Sequence, residues 1–243
     1  MSKKNIFNLS CTIVLIIFAY ILRIVSRNMI GVFLPTLLTT VRNTIHVALI
    51  IIWIVSIKRR IVNKQVRKLI IIVGILMAYW LTAKTIKYEF FPDNYQIAQR
   101  YLWYSYYIPM ILIPLSGIFV IFFTGKTENY IIPKWSYCFY IPAIILIITV
   151  LTNDFHSLVF KFPNGIYYFN SDYDYGFLYW IIMGWYILLG LIFVILLLRQ
   201  SRLPGSKKIQ KVPLLILLFA IVFWLLYTFR IINADLTVID CLF

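Results

Sequence analysis

Lys58-Arg59-Arg60-Ile61-Val62-Asn63-Lys64-Gln65-Val66-Arg67-Lys68 places six cations and no acid between two long apolar runs. A chain that crosses a bilayer sorts its charge in this way, because loops left on the cytoplasmic face are enriched in Lys and Arg. Apolar stretches of roughly 20 residues are enough to span the hydrocarbon core as helices. A second loop of the same character holds Arg199, Arg202, Lys207, Lys208 and Lys211. Both loops are expected in the cytoplasm. The segments between them carry Glu89, Asp93, Asp154, Asp172 and Asp174, and are expected on the opposite face. Of the eight acids only Glu128 falls inside on this topology.

Composition agrees with a polytopic membrane protein: 63% hydrophobic, 13% charged and a mean hydropathy of +0.90. These values lie outside the range of a soluble domain. The formal charge of +15 is therefore a topology signal first. A nucleic-acid partner is not expected, because its basic residues would gather on one soluble face. Cys11, Cys138 and Cys241 sit in or beside apolar runs at unrelated spacings, which suits neither a disulfide framework nor a metal site. Lys3 and Lys4 precede an apolar run from Cys11 to Leu22 in the manner of a signal peptide. Arg23 and Arg27 then stand where a small-residue cleavage site would be needed, so this run is read as an uncleaved first span.

The expected fold is an all-α membrane bundle of about seven helices, a single transmembrane domain over 1–243 with no soluble domain. The spans fall at about 8–26, 37–57, 69–83, 101–123, 135–151, 177–198 and 212–230. The N-terminus and loops 58–68, 125–134 and 199–211 are then cytoplasmic. Arg23, Arg27 and Arg42 run against the charge rule, which leaves an alternative arrangement of the first two helices open. Pro109 and Pro114 interrupt the hydrogen-bond ladder of the fourth span and mark a candidate hinge. After Asp235 a new apolar run, Leu236 to Ile239, stops at Phe243 where an eighth helix would start, and truncation is the expected reading of that end.

The polar residues offer little catalytic chemistry. His46 and His156 are the two histidines, and there is no H-E-x-x-H, no G-x-S-x-G and no Walker loop. No enzyme activity, cofactor or metal is expected. Two constellations stand out at the outer boundary. Asn153, Asp154 and His156 close the fifth span, with Asn153 and His156 sharing a helix face at i and i+3. Ionisable groups at that depth are costly unless they face a cavity or a partner, which makes them candidates for a ligand or signal pocket. Capping of adjoining helices by Asn153 and Asp154 is the competing reading. Arg100, Trp103, Tyr104, Tyr106 and Tyr107 open the fourth span, and the four-residue spacings set Arg100 with Tyr104 and Trp103 with Tyr107 in neighbouring ridges. That cluster suits a ligand held by cation-π contacts and hydrogen bonds; an aromatic belt at headgroup level is the alternative. Lys84, Lys87 and Tyr88 carry the same two readings, and Lys87 is grouped with the candidate pocket. Trp180 and Trp185 are assigned to packing or belt.

Taken in order, Trp80 with Lys87-Tyr88, then Arg100-Tyr101-Leu102-Trp103-Tyr104-Ser105-Tyr106-Tyr107-Ile108-Pro109, then Leu151-Thr152-Asn153-Asp154-Phe155-His156-Ser157-Leu158 resembles a known pattern. It is similar to the N-terminal seven-helix sensor region of bacterial membrane-bound sensor histidine kinases. The resemblance covers nearly the whole chain, best from about Val41 to Phe243, and T-N-D-x-H is its most specific element. It implies a receptor that perceives a small-molecule, peptide or membrane signal and passes it to a cytoplasmic dimerisation, phosphotransfer and ATP-binding module. A homodimer and a kinase or response-regulator system are the implied partners, besides the lipid bilayer. No phospho-accepting histidine motif, N-box or glycine-rich ATP lid occurs in these residues, so what is implied is an input half without its kinase. Two other classes compete: a small transporter or permease component, which would place charge at mid-span, and a headgroup-modifying enzyme using Asp154 and His156.

Overall fold

A computed structural model of the chain describes residues 3–29, 31, 33–61, 63–91, 96–123, 130–163, 165 and 173–200. The chain divides into two compact units, Met1–Gly190 and Leu191–Phe243, and the second is described only over residues 191–200. The basic turn sits between α2 (Phe33–Arg60) and α3 (Lys64–Thr85). Asn63 starts α3: its side-chain oxygen accepts from the backbone N–H of Gln65 at 3.0 Å and of Val66 at 3.2 Å, satisfying donors that no helical carbonyl can reach. Before α2 comes α1 (Lys3–Asn28). After α3 the helix continues as a π-helical segment, Ile86–Phe90.

Five helical stretches among the described residues are long and apolar enough to cross a membrane: Phe33–Arg59, Lys64–Phe90, Gln96–Phe123, Lys134–Leu151 and Phe177–Leu196. Helix α1 adds a shorter apolar stretch, Ser10–Ser26. These correspond to six of the expected spans; the seventh, 212–230, lies outside the described residues. Among the described residues the fold is all-α apart from one short ladder. Neighbours in sequence pack together, α1 on α2, α2 on α3 and α5 (Tyr107–Phe123) on α6 (Tyr140–Leu151), while α3 also packs on α5. Ile13, Val14, Ile51, Ile52, Ile75, Ile144 and Leu191 are exposed, which is stable only where the surroundings are hydrocarbon. The α2–α3 contact is close because Gly74 has no side chain: a Cβ there would lie 2.7 and 2.8 Å from Ile54 side-chain carbons.

The fourth span is two helices, α4 (Gln96–Ser105) and α5 (Tyr107–Phe123), with a turn at Tyr106 between them. Pro109 explains the break. Its nitrogen cannot donate to the carbonyl four residues earlier, at Ser105, and its ring crowds that carbonyl. The Tyr106 N–H bonds instead to the Trp103 carbonyl at 3.1 Å, a tighter turn that closes α4. Pro114 lies inside α5 without ending it. Buried Ile111, Leu115, Ile118 and Phe119 make α5 the apolar centre of its unit.

The fifth span begins as a 3₁₀ helix, Lys134–Phe139, and continues as α6 (Tyr140–Leu151). One further turn, α7 (Asn153–His156), follows. Ser157 ends it in the left-handed region at φ 51°, and β1 (Phe160–Lys161) then pairs antiparallel with β2 (Asp174–Tyr175), Phe160 opposite Tyr175. Gly176 leads into α8 (Phe177–Gln200). A side chain at Gly176 would overlap the Leu158 carbonyl, so the ladder and the start of α8 meet with no room for a Cβ.

Candidate functional site

Helix α4 and the short turn α7 meet through Asp154. Arg100 donates from Nε at 3.1 Å and from Nη2 at 2.7 Å to Oδ2 of Asp154. The Tyr104 hydroxyl donates to Oδ1 at 2.8 Å. Both partners come from one face of α4, one turn apart, as their spacing dictates. The ion pair is sheltered, with Arg100 3% and Asp154 13% exposed. Tyr101 lies within electrostatic reach of the same carboxylate.

Asn153, wholly buried, uses its complete hydrogen-bonding capacity. Its oxygen accepts from the backbone N–H of Val159 at 2.9 Å and of Phe160 at 3.0 Å. Its nitrogen donates to the Phe160 carbonyl at 2.9 Å and to the Tyr104 hydroxyl at 3.1 Å. Tyr104 Oη thus accepts from Asn153 while donating to Asp154. The role of Asn153 is to clip β1 onto the end of α6 and onto α4, rather than to cap a helix. This four-residue node, Arg100–Asp154–Tyr104–Asn153, joins the two constellations that lie far apart in the sequence.

Aromatic rings cover the node. Trp103 and Tyr107, on the next ridge of α4 and α5, both pack on Phe160, with centroids 4.4 and 5.6 Å from it. Phe160 also meets Tyr104, Tyr173, Tyr175 and Tyr179. Arg100 lies 5.9 Å from the Phe162 ring centroid. On the π segment, buried Lys87 sits 4.6, 5.9 and 6.0 Å from the rings of Tyr88, Trp103 and Tyr106. The Tyr106 hydroxyl is buried without a hydrogen-bond partner among the described residues.

His156 stands beside the node. Leu158 N–H donates to its Nδ1 at 3.0 Å, so in the neutral ring Nε2 carries the proton and donates to the Thr149 carbonyl at 3.1 Å. The imidazole therefore ties the turn after α7 back to α6. Pro109 and Pro114 lie on α5 just beyond, Pro109 at the α4–α5 break. Groups of His, Cys, Asp or Glu able to hold a metal ion are absent among the described residues.

Two parts of this region carry no signal in the sequence. Phe160 is the hub of the aromatic cluster, yet Leu158-Val159-Phe160 has neither the length nor the alternation of a strand. A second polar cluster joins α2 to the π segment. Asn43 Nδ2 donates to Thr85 Oγ1 at 2.8 Å, and Glu89 is bonded by Thr36 with Arg42 in electrostatic reach. Arg42, anomalous by the charge rule, is thus bonded to Asn43, with Glu89 in electrostatic reach, at the end of the unit remote from the basic turn.

A family model for the N-terminal 7TM region of histidine kinase matches residues 41–243. The chain belongs to this family. Neither a curated protein nor a solved structure matches it. The match opens inside α2 and takes in every residue of the node, the π segment and the aromatic cluster. The matched residues are thus a multi-pass membrane input region of the histidine-kinase type.

Proposed function

We propose that this 7TM region senses an extracytoplasmic or membrane-borne signal at the Arg100–Asp154 node and relays it to a cytoplasmic kinase and response-regulator system. The observation that supports this reading is the position of Asp154. One carboxylate holds α4 through Arg100 and Tyr104, while its neighbour Asn153 holds β1. A small molecule or peptide offering its own carboxylate to Arg100, or its own cation to Asp154, competes with that pair. The break at Tyr106 and Pro109 lets α4 tilt without carrying α5 with it. The two states needed for signalling are then node closed and node open, and a ligand shifts their balance by binding one better. Lys87, Trp103, Tyr104 and Tyr107 form the wall of such a site, His156 fixes its floor, and Pro114 lets α5 bend. A homodimer is the expected working form, as in kinases that phosphorylate within a pair.

The test joins the chain to a cytoplasmic histidine-kinase module, with junctions sampled over one heptad, and measures autophosphorylation in isolated membranes. Arg100→Gln and Asp154→Asn are expected to shift basal output at least threefold, and Lys134→Gln, an exposed cation away from the node, to leave it unchanged. Output at the parental level from variants that insert normally would remove the node from the signalling path.

A further inference from the structure

We propose that the turn between α2 and α3 is a binding surface for the headgroups of anionic phospholipids. The side chains of Lys58, Arg59, Lys64 and Lys68 are exposed and that of Arg67 is half-buried. None of the five makes an ion pair or hydrogen bond among the described residues. At the other end of the unit Arg100 is paired with Asp154, Arg42 is bonded to Asn43 and Lys87 is packed among rings, while Lys161 on β1 is exposed. The turn differs in presenting several exposed cations side by side.

Helix stability does not account for the presented set. Lys64, Arg67 and Lys68 occupy the first two turns of α3, and the first turn holds no acid. Positive charge is unfavourable at that end of a helix dipole, so these residues lower the stability of an isolated α3. An anion beside them reverses the sign. The turn supplies the depth at which to meet one, because one apolar span ends at Arg59 and the next begins at Lys64. The ammonium and guanidinium groups are therefore held at the level of the lipid phosphates, with the stems of Arg67 and Lys68 able to lie along the apolar surface. Clusters of four to eight Lys and Arg beside a membrane span attract anionic lipids through the surface potential, and the guanidinium fork of Arg59 or Arg67 suits phosphate oxygens. An acidic segment of a soluble partner would have to displace lipids already at that level, and phospholipid is the occupant we assign.

The full chain is reconstituted in phosphatidylcholine vesicles with a trace of spin-labelled phosphatidylglycerol or spin-labelled phosphatidylcholine, and the motionally restricted fraction of each label is compared by electron paramagnetic resonance. The expected result is a two- to threefold preference for phosphatidylglycerol, falling by half or more in Lys64→Gln/Arg67→Gln/Lys68→Gln. That variant keeps Lys58, Arg59 and Arg60 to direct insertion. In the unaltered protein the preference should collapse between 0.05 and 1 M salt, as screening shortens from roughly 14 Å to about 3 Å. Lys161→Gln, an exposed cation on β1, should change nothing. An equal restriction of both labels in the unaltered protein, a preference indifferent to salt, or one retained in full by the triple variant overturns the proposal. Equal restriction together with capture of a soluble acidic polypeptide by the same cations would overturn it in favour of a protein partner.

Discussion

Replacing Asp154 by Asn keeps the size of the side chain and removes the charge that neutralises Arg100. Breaking one side of a sheltered ion pair costs about 3–5 kcal/mol, since the surviving charge stays buried. Asp154→Asn is thus expected to lower the unfolding midpoint of the purified protein in detergent, and Arg100→Gln/Asp154→Asn to recover much of the loss. A midpoint unmoved by Asp154→Asn would show that the pair does not organise this region. Asn153→Ala should be at least as damaging. It strands two backbone N–H groups and one carbonyl, at about 1–3 kcal/mol for each buried group left unsatisfied. The readout is faster amide hydrogen exchange at Val159 and Phe160, with the exchange of α2 unchanged. Both residues were legible as candidates from their depth and polarity, but their partners were not. Arg100 and Asp154 stand 54 positions apart, and no local window connects them.

At the scale of the elements, glycine and proline decide how the helices meet. Gly74→Ala pushes a Cβ into Ile54 and should destabilise the α2–α3 pair by about 1–3 kcal/mol, the usual cost of overpacking. Gly74→Ala/Ile54→Val should restore part of that, and a double-mutant cycle on thermal midpoints measures the coupling. Additive effects would mean the helices are not in contact there. Pro109→Ala restores the missing donor and removes the clash with Ser105, so α4 and α5 should merge into one helix. Spin-label distances across Tyr106 should then lengthen toward 1.5 Å per residue, and stay as they are if another feature sets the break. The proline signal was present in the sequence. Its effect falls at Tyr106, three residues earlier, because the lost hydrogen bond reaches backward to Ser105.

For the whole molecule, the charge pattern predicts orientation. In a background without native cysteines, Gln65→Cys should react with an impermeant thiol reagent only from the cytoplasmic side, and Phe155→Cys, at an 86% exposed position, only from the other. Labelling of both from one side would invert or undo the topology. The same orientation puts the node and the basic turn on opposite faces of the membrane. The signal we propose to act at the node would then have to travel the length of the helices, and the polar cluster of Arg42, Asn43, Thr85 and Glu89 joins the π segment beside Lys87 to α2, which leads back to the turn.

What the sequence determined by itself was what a bilayer imposes locally: span length from the hydrocarbon thickness, charge sorting from the insertion rule, and helix as the secondary structure that satisfies its own backbone in lipid. These constraints act over windows of about 20 residues and are legible one window at a time. Tertiary structure alone decided that Trp103 and Tyr104 of α4 and Tyr107 of α5 pack on Phe160, that Asn153 fastens a two-residue strand, and that Arg100 meets Asp154. Each of those is a pairing between segments, selected because buried polar groups and rings must find partners in three dimensions.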